Sequence, residues 1–254
     1  MNTVSENTSK RKISVIETGH AKNVANFQEL ITFVTAYGTA YNPSKESLKL
    51  PQLNALKIAA ETQLLDVIAK NTAYNNAVNE RINAFSGLRI YATRLLNALQ
   101  TTNATNETIG NAKSFNRKMQ GKKAGTSQIE NNLENPAPKT ISSSQQSYDQ
   151  LIQHLAGLKS ILETETSYTP NETDLQVASI QAKIVDLQLK NTTVVAAYTT
   201  ISNARIARNE ILYNANESLV ETAKDIKQYI KSVYGASSPQ FAQVKGIMFT
   251  KPRK

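Results

Sequence analysis

Apolar residues recur along this chain at steps of three and four rather than in alternation, the spacing of helices that bury one face. From Asn23 to Tyr41 the spaced set is Phe27, Leu30, Ile31, Val34 and Tyr37, and a similar first helix runs through Tyr148, Leu151, Ile152, Leu155, Leu158 and Leu162. A second helix from Pro51 carries Leu53, Leu56, Ala60, Leu64, Val67, Tyr74, Val78, Ile82 and Phe85. Its counterpart carries Val177, Ile180, Ile184, Leu187, Val194, Tyr198, Ile201 and Leu212. Each of these is predicted at about 35 residues, roughly 50 Å at 1.5 Å per residue. Ser86-Gly87 offers a break before a third helix through Leu88, Tyr91, Leu95 and Leu99. Its partner, through Leu219, Thr222, Ile226, Ile230 and Val233, is stopped by Gly235 with Pro239 beyond.

The pattern is doubled. Tyr41, Pro43, Leu48 and Ala55 recur at a constant offset of 127 as Tyr168, Pro170, Leu175 and Ala182, and Tyr74, Asn79, Arg81 and Ile82 recur at an offset of 124 as Tyr198, Asn203, Arg205 and Ile206. A three-residue indel, close to one helical turn, would reconcile the two offsets. Asn42-Pro43 and Thr169-Pro170 read as an N-cap followed by a first-turn proline, with Glu172 placed for a capping box and the preceding Tyr as a staple. The predicted fold is therefore all-α, an elongated helical bundle of about six helices built from two tandem, similar three-helix units. The expected divisions are a flexible basic tail at 1–25, repeat unit 1 at 26–109, a basic linker at 110–140, repeat unit 2 at 141–235 and a basic tail at 236–254.

Composition removes much chemistry. Cys is absent, which excludes thiolate catalysis, disulfides and Cys-ligated metals. The two His, His20 in the amino tail and His154 beside Leu151, Leu155 and Leu158, lie far apart, and no second copy completes the Glu17-to-His20 spacing. Neither a phosphate-cradling Gly-Lys-Ser/Thr loop nor Gly-x-Gly-x-x-Gly is present. No catalytic, cofactor-binding or metal-ligating residue can be nominated, so an enzyme, a cofactor and a metal are not expected. The first twenty residues hold no apolar core of the length a signal peptide needs. No apolar run nears the length of a membrane-crossing helix, so a cytoplasmic protein without a transmembrane segment is expected.

The net charge of +9 is unevenly distributed. Residues 1–25, 110–140 and 236–254 hold 14 Lys and Arg against 4 Asp and Glu, while the remainder holds 15 against 16. Lys10, Arg11, Lys12, Lys118, Lys122, Lys123, Lys251, Arg253 and Lys254 are thus candidate phosphate contacts, in a nucleic-acid reading whose affinity would fall with salt. On the helices, Tyr74, Asn79, Arg81, Tyr198, Asn203, Arg205 and Arg208 form a candidate anion- or partner-binding set. The competing reading of the same arginines is that they snorkel along the bundle and cap its apolar seam. A helix-Gly-helix reading of Asn83 to Leu96, with Arg89, Tyr91, Thr93 and Arg94 facing DNA, lacks an equivalent Gly in the second copy. The leading expectation is a structural or protein-interaction module that binds a protein partner or itself, with nucleic-acid association as the alternative.

Overall fold

The computed structural model describes residues 15–121 and 146–252. These residues form helices joined by loops with no strand among them, and no described helix is long and apolar enough to cross a membrane. The α-helices are α1 (Val15–Ala36), α2 (Leu50–Ser86), α3 (Leu88–Gln100), α4 (Asn106–Met119), α5 (Tyr148–Thr164), α6 (Val177–Tyr213), α7 (Leu219–Tyr234) and α8 (Pro239–Lys245). Short polar side chains start four of them. Thr105, Ser147, Ser218 and Ser238 each accept the amide of the residue three positions on, which satisfies one of the otherwise unpaired first-turn N–H groups. Gly38 (φ 59°) follows α1 and Gly235 (φ 89°) ends α7, positions where a side chain would be strained.

The helices group into two compact units that do not follow the two halves of the sequence. Unit 1 comprises residues up to Thr72 together with those from Thr199 onward, and unit 2 spans Ala73–Tyr198. In unit 1, Phe27, Leu30 and Val34 of α1 bury themselves with Leu53 and Ala60 of α2, Leu212 of α6, and Ala223, Ile226 and Ile230 of α7. In unit 2, Leu155, Leu158 and Leu162 of α5 do so with Phe85 of α2, Ala92, Leu95 and Leu99 of α3, and Ile180 and Leu187 of α6. Each long helix therefore supplies apolar residues to both cores.

Three expected boundaries move. The linker set to begin at Gly110 is helical as far as Met119, because Ala112 and Met119 are buried and Phe115 packs on the unit 2 core. The amino tail set to end at residue 25 is helical from Val15, with His20 and Asn23 each 1% exposed. The carboxyl tail contains α8, and Val244 and Ile247 are buried.

The Tyr-x-Pro motifs read locally as helix starts but open loops, so that α2 begins within one residue of the Pro51 expected for it, whereas α6 begins seven residues after Pro170. Tyr41 and Tyr168 lie well ahead of α2 and α6, which begin at Leu50 and Val177, and each intervening loop contains a 3-10 turn, Glu46–Leu48 or Thr173–Leu175. The loop is closed by the tyrosine itself. The buried Tyr41 hydroxyl donates to the Leu48 carbonyl at 2.8 Å, and the Tyr168 hydroxyl donates to the Leu175 carbonyl at 2.8 Å. Leu48 and Leu175 are buried beneath these bonds. The late start does not require a proline such as Pro51, since Val177 begins α6 in the same way without one near it. Both long helices are 37 residues long. Their starts, Leu50 and Val177, and their ends, Ser86 and Tyr213, share one offset, so the anticipated three-residue indel does not lie within them.

Tyr168→Phe should strand the Leu175 carbonyl in the core and cost about 1–2 kcal/mol, read as a fall in the urea midpoint, and Tyr41→Phe should act alike at Leu48. An unchanged midpoint would show the latch to be dispensable. Burial raises the Tyr168 phenol from 10.0 to about 12, helped by Tyr91, Glu172 and Asp174 nearby. The unfolded phenol ionises first, so this contribution is intact below pH 10 and lost as pH rises towards 12. Tyr168→Phe should therefore flatten part of the alkaline loss of stability.

Candidate functional site

The arginines of the long helices are not equivalent. In unit 2, the half-buried Arg81 donates from Nη1 to Asn191 Oδ1 at 3.0 Å, and its guanidinium lies 4.1 Å over the Tyr148 ring. Tyr148 stands edge-on to Phe85 with centroids 4.7 Å apart, and Asn191 Nδ2 donates to Asp149 Oδ1 at 2.6 Å. Glu80 and Lys190 pair at 2.8 Å one residue away on each helix. This is a cation held over an aromatic face and tied to an amide, the arrangement of a packed arginine whose plane is already engaged.

Arg208, not Arg205, occupies the matching place on α6, since it stands as far from Val177 as Arg81 does from Leu50. Arg208 is 4% exposed, and its Nε and Nη2 donate to Asn209 Oδ1 at 3.1 and 3.0 Å. Arg205 is exposed, as are Asn79 and Asn203. Tyr74 and Tyr198 do meet, with tilted rings 5.9 Å apart, and Tyr198 stays 57% exposed. The structure thus joins Tyr74 to Tyr198 and anchors Arg81 separately. Asn79, Asn203 and Arg205 make no hydrogen bond or ion pair with them.

The surface residues of α3 are also engaged within unit 2. Tyr91 donates to the Asp174 carbonyl at 2.7 Å, Arg94 pairs with the Asp174 carboxylate at 2.6 Å, Thr93 donates to the Arg89 carbonyl at 3.1 Å, and Arg89 donates to Gln146 at 2.9 Å. With Thr173, Ser179 and Lys183, Tyr91, Arg94 and Asp174 line an open cleft. Ser179 donates to the Thr173 carbonyl at 2.6 Å, and the Lys183 ammonium sits 5.4 Å from the Tyr91 ring. Burial, with the Asp174 charge adding, pushes the Tyr91 phenol up to about 12. The cleft is the outer face of a clamp that holds the 3-10 turn onto α3.

Unit 1 has the same clamp with its charges exchanged. Asp225 of α7 binds Lys45, just ahead of the 3-10 turn, at 2.7 Å, and Tyr229 accepts the Asn42 amide at 3.1 Å while standing edge-on to Tyr41. Sequence reading missed both clamps because their partners are remote in the chain, Lys45 and Asp225 being 180 positions apart.

His20 and His154 are both buried. His20 Nδ1 pairs with the Tyr213 hydroxyl at 2.5 Å, and His154 lies near Phe115 with centroids 6.5 Å apart. Among the described residues no group of three or more His, Asp or Glu could hold a metal ion. Of the basic flank residues, Lys118 lies 5.3 Å from the Phe115 ring and Lys251 pairs with Glu221 at 2.5 Å. Lys10, Arg11, Lys12, Lys122, Lys123, Arg253 and Lys254 lie outside the described residues. No protein-family model matches the chain, and no match is found among curated proteins or solved structures.

The two arginine environments predict a contrast. Arg81→Ala should cost about 1–3 kcal/mol through the lost ring contact and amide bond, whereas Arg205→Ala should stay within about 0.5 kcal/mol, both read by urea denaturation. Equal effects would mean that Arg81 is as free as Arg205.

Proposed function

We propose that the chain is a cytoplasmic, non-enzymatic interaction module, built by duplication of one helical unit, that associates with itself or with a protein partner. The observation that carries this reading is a row of apolar side chains left in solvent on the long helices. On α2 in unit 1, Ile58, Leu65 and Ile68 are 58%, 67% and 62% exposed, at spacings of seven and three that place them on one face. On α6 in unit 2, Val185 and Leu189 are 52% and 61% exposed at a spacing of four. Single exposed apolar residues are ordinary, but a helical row of them marks a surface suited to association. Ile58 and Val185 stand equally far from the starts of their helices, Leu50 and Val177, so the feature occurs at the same place in both.

Further support comes from the way the charged side chains are used. Arg81, Arg94, Asp174 and Lys45 are all engaged in contacts that hold helices and turns together. Their geometry supplies packing rather than a converging set of reactive groups. The second reading, in which basic flanks contact nucleic acid, rests on the concentration of 14 Lys and Arg in those segments.

Sedimentation equilibrium tests the leading reading. The wild-type protein should self-associate at tens of micromolar, since each buried apolar side chain is worth about 1.5–3 kcal/mol, and Ile58→Lys with Leu65→Glu and Ile68→Lys should return a helical monomer. A wild-type monomer that these changes leave unaltered would remove self-association through this face.

A further inference from the structure

The two units differ where each covers its first helix. In unit 2 that surface is covered by α4, whose Ala112, Phe115 and Met119 pack on the core with α5. Gly157 of α5 makes room, since a Cβ there would stand 2.3 Å from the Phe115 ring. In unit 1 the helix packed at this place, α8, stops at Lys245 after seven residues, and the chain continues without regular structure to Pro252. Ile247 is buried, Met248 is 70% exposed, Phe249 packs on the core and Thr250 is exposed, which is the side-chain alternation of an extended strand.

An extended segment, unlike a helix, leaves its N–H and C=O groups to be paired by something else. In unit 1, α1 and α7 pair them. Asn23 Nδ2 donates to the Thr250 carbonyl at 2.7 Å while its Oδ1 accepts the Thr250 amide at 3.0 Å. Asn26 Nδ2 donates to the Met248 carbonyl at 2.6 Å, and Lys227 of α7 donates to the Ile247 carbonyl. Asn23 and Asn26 are 1% and 5% exposed. Phe27, Leu30 and Val34 of α1 correspond in spacing to Leu155, Leu158 and Leu162 of α5, so Leu151 and His154 stand in α5 where α1 has these two asparagines. The change from Leu and His to two buried amides follows the change of the covering segment from helix to extended chain.

We propose that the groove between α1 and α7 is a docking site for an extended peptide with apolar side chains at alternate positions followed by Lys or Arg, that residues 247–251 fill it in cis, and that such a segment of a partner protein displaces them. The asparagines read only backbone, so the groove tolerates other sequences with the same alternation. The side-chain requirements are two apolar anchors, at the places of Ile247 and Phe249, and a cation for Glu221, which accepts Lys251 at 2.5 Å. A segment outside the helices, whose backbone is paired by side chains rather than by a helical ladder, belongs to the part of a structure that opens before the helices do. The inference gives the interaction reading a partner chemistry, and its failure would leave association through the Ile58, Leu65 and Ile68 face to be judged by sedimentation alone.

The test uses the full chain with Ile247→Ser and Phe249→Ser, which frees the cis segment, and a fluorescent peptide of residues 245–254 followed by anisotropy. The peptide should bind this variant at least tenfold more tightly than it binds the wild type, because the tethered segment competes at high effective concentration. Asn23→Ala in the same background should weaken binding at least tenfold. Absence of binding to a variant with wild-type helicity, or binding indifferent to Asn23→Ala, would overturn the proposal. Should the variant fail to fold, hydrogen exchange on the wild type decides. A Thr250 amide exchanging at least tenfold faster than those of Ala223 and Ile226 supports a displaceable segment, and exchange in step with them overturns it. A wild-type dimer dissociated by the peptide would place a second copy's segment in the groove and overturn a separate partner.

Discussion

A helix of 37 residues, about 55 Å long, presents more apolar stripe than one neighbouring helix of 13 to 22 residues can cover. Both α2 and α6 meet this constraint by serving two cores. Leu53 and Ala60 of α2 belong to unit 1 and Phe85 to unit 2, while Ile180 and Leu187 of α6 belong to unit 2 and Leu212 to unit 1. The consequence is that each unit recruits residues from both halves of the sequence. A tandem arrangement in which each half folds on itself would leave one end of each long helix uncovered.

The position of a long helix along its own axis decides which residues reach each core, so the loop ahead of it must be fixed. The buried tyrosine latch does this twice, at Tyr41 and Tyr168, with the same partner seven residues on. The ion-pair clamps that hold the 3-10 turns add little energy, since both lie about half exposed and such pairs contribute about 0–1 kcal/mol. Their polarity carries more. Arg94 on α3 faces Asp174, whereas Asp225 on α7 faces Lys45, so exchanging the turns between the two third helices would set like charges together. In a chain whose two halves share so much pattern, that repulsion opposes the wrong pairing.

Much of the helical content was legible because it rests on local spacing. The sets through Phe27, Leu30 and Val34 and through Leu219, Ile226 and Ile230 needed no knowledge of neighbours, and Gly87 and Gly235 mark real helix ends. What escaped depends on contacts distant in sequence or on closure of a loop. Thr169-Pro170 with Glu172 carries the local signs of a helix start, and the bond from Tyr168 to the Leu175 carbonyl goes with a loop there, whereas the start near Pro51 was legible from the proline. Helix α4 shows few apolar residues and runs into a basic stretch from Arg117, and its burial is decided by Gly157 and the rest of α5. The offset of 124 relating Arg81 to Arg205 matched residue types, while the burial of Arg208 shows 127 to be the structural register. The strap at the carboxyl end looked like a tail because the amides that pair it, Asn23 and Asn26, lie 227 and 222 positions from their partners.

Zero-length carbodiimide cross-linking with mass spectrometry reads directly whether the units mix the two halves of the sequence. Lys45 and Asp225 stand 2.7 Å apart and Lys190 and Glu80 stand 2.8 Å apart, each pair drawn from opposite halves. Intramolecular Lys45–Asp225 and Lys190–Glu80 amide links in the monomer are the predicted result. Links confined to residues 26–109 on one side and 141–235 on the other would contradict the shared cores and return the chain to two self-contained tandem units.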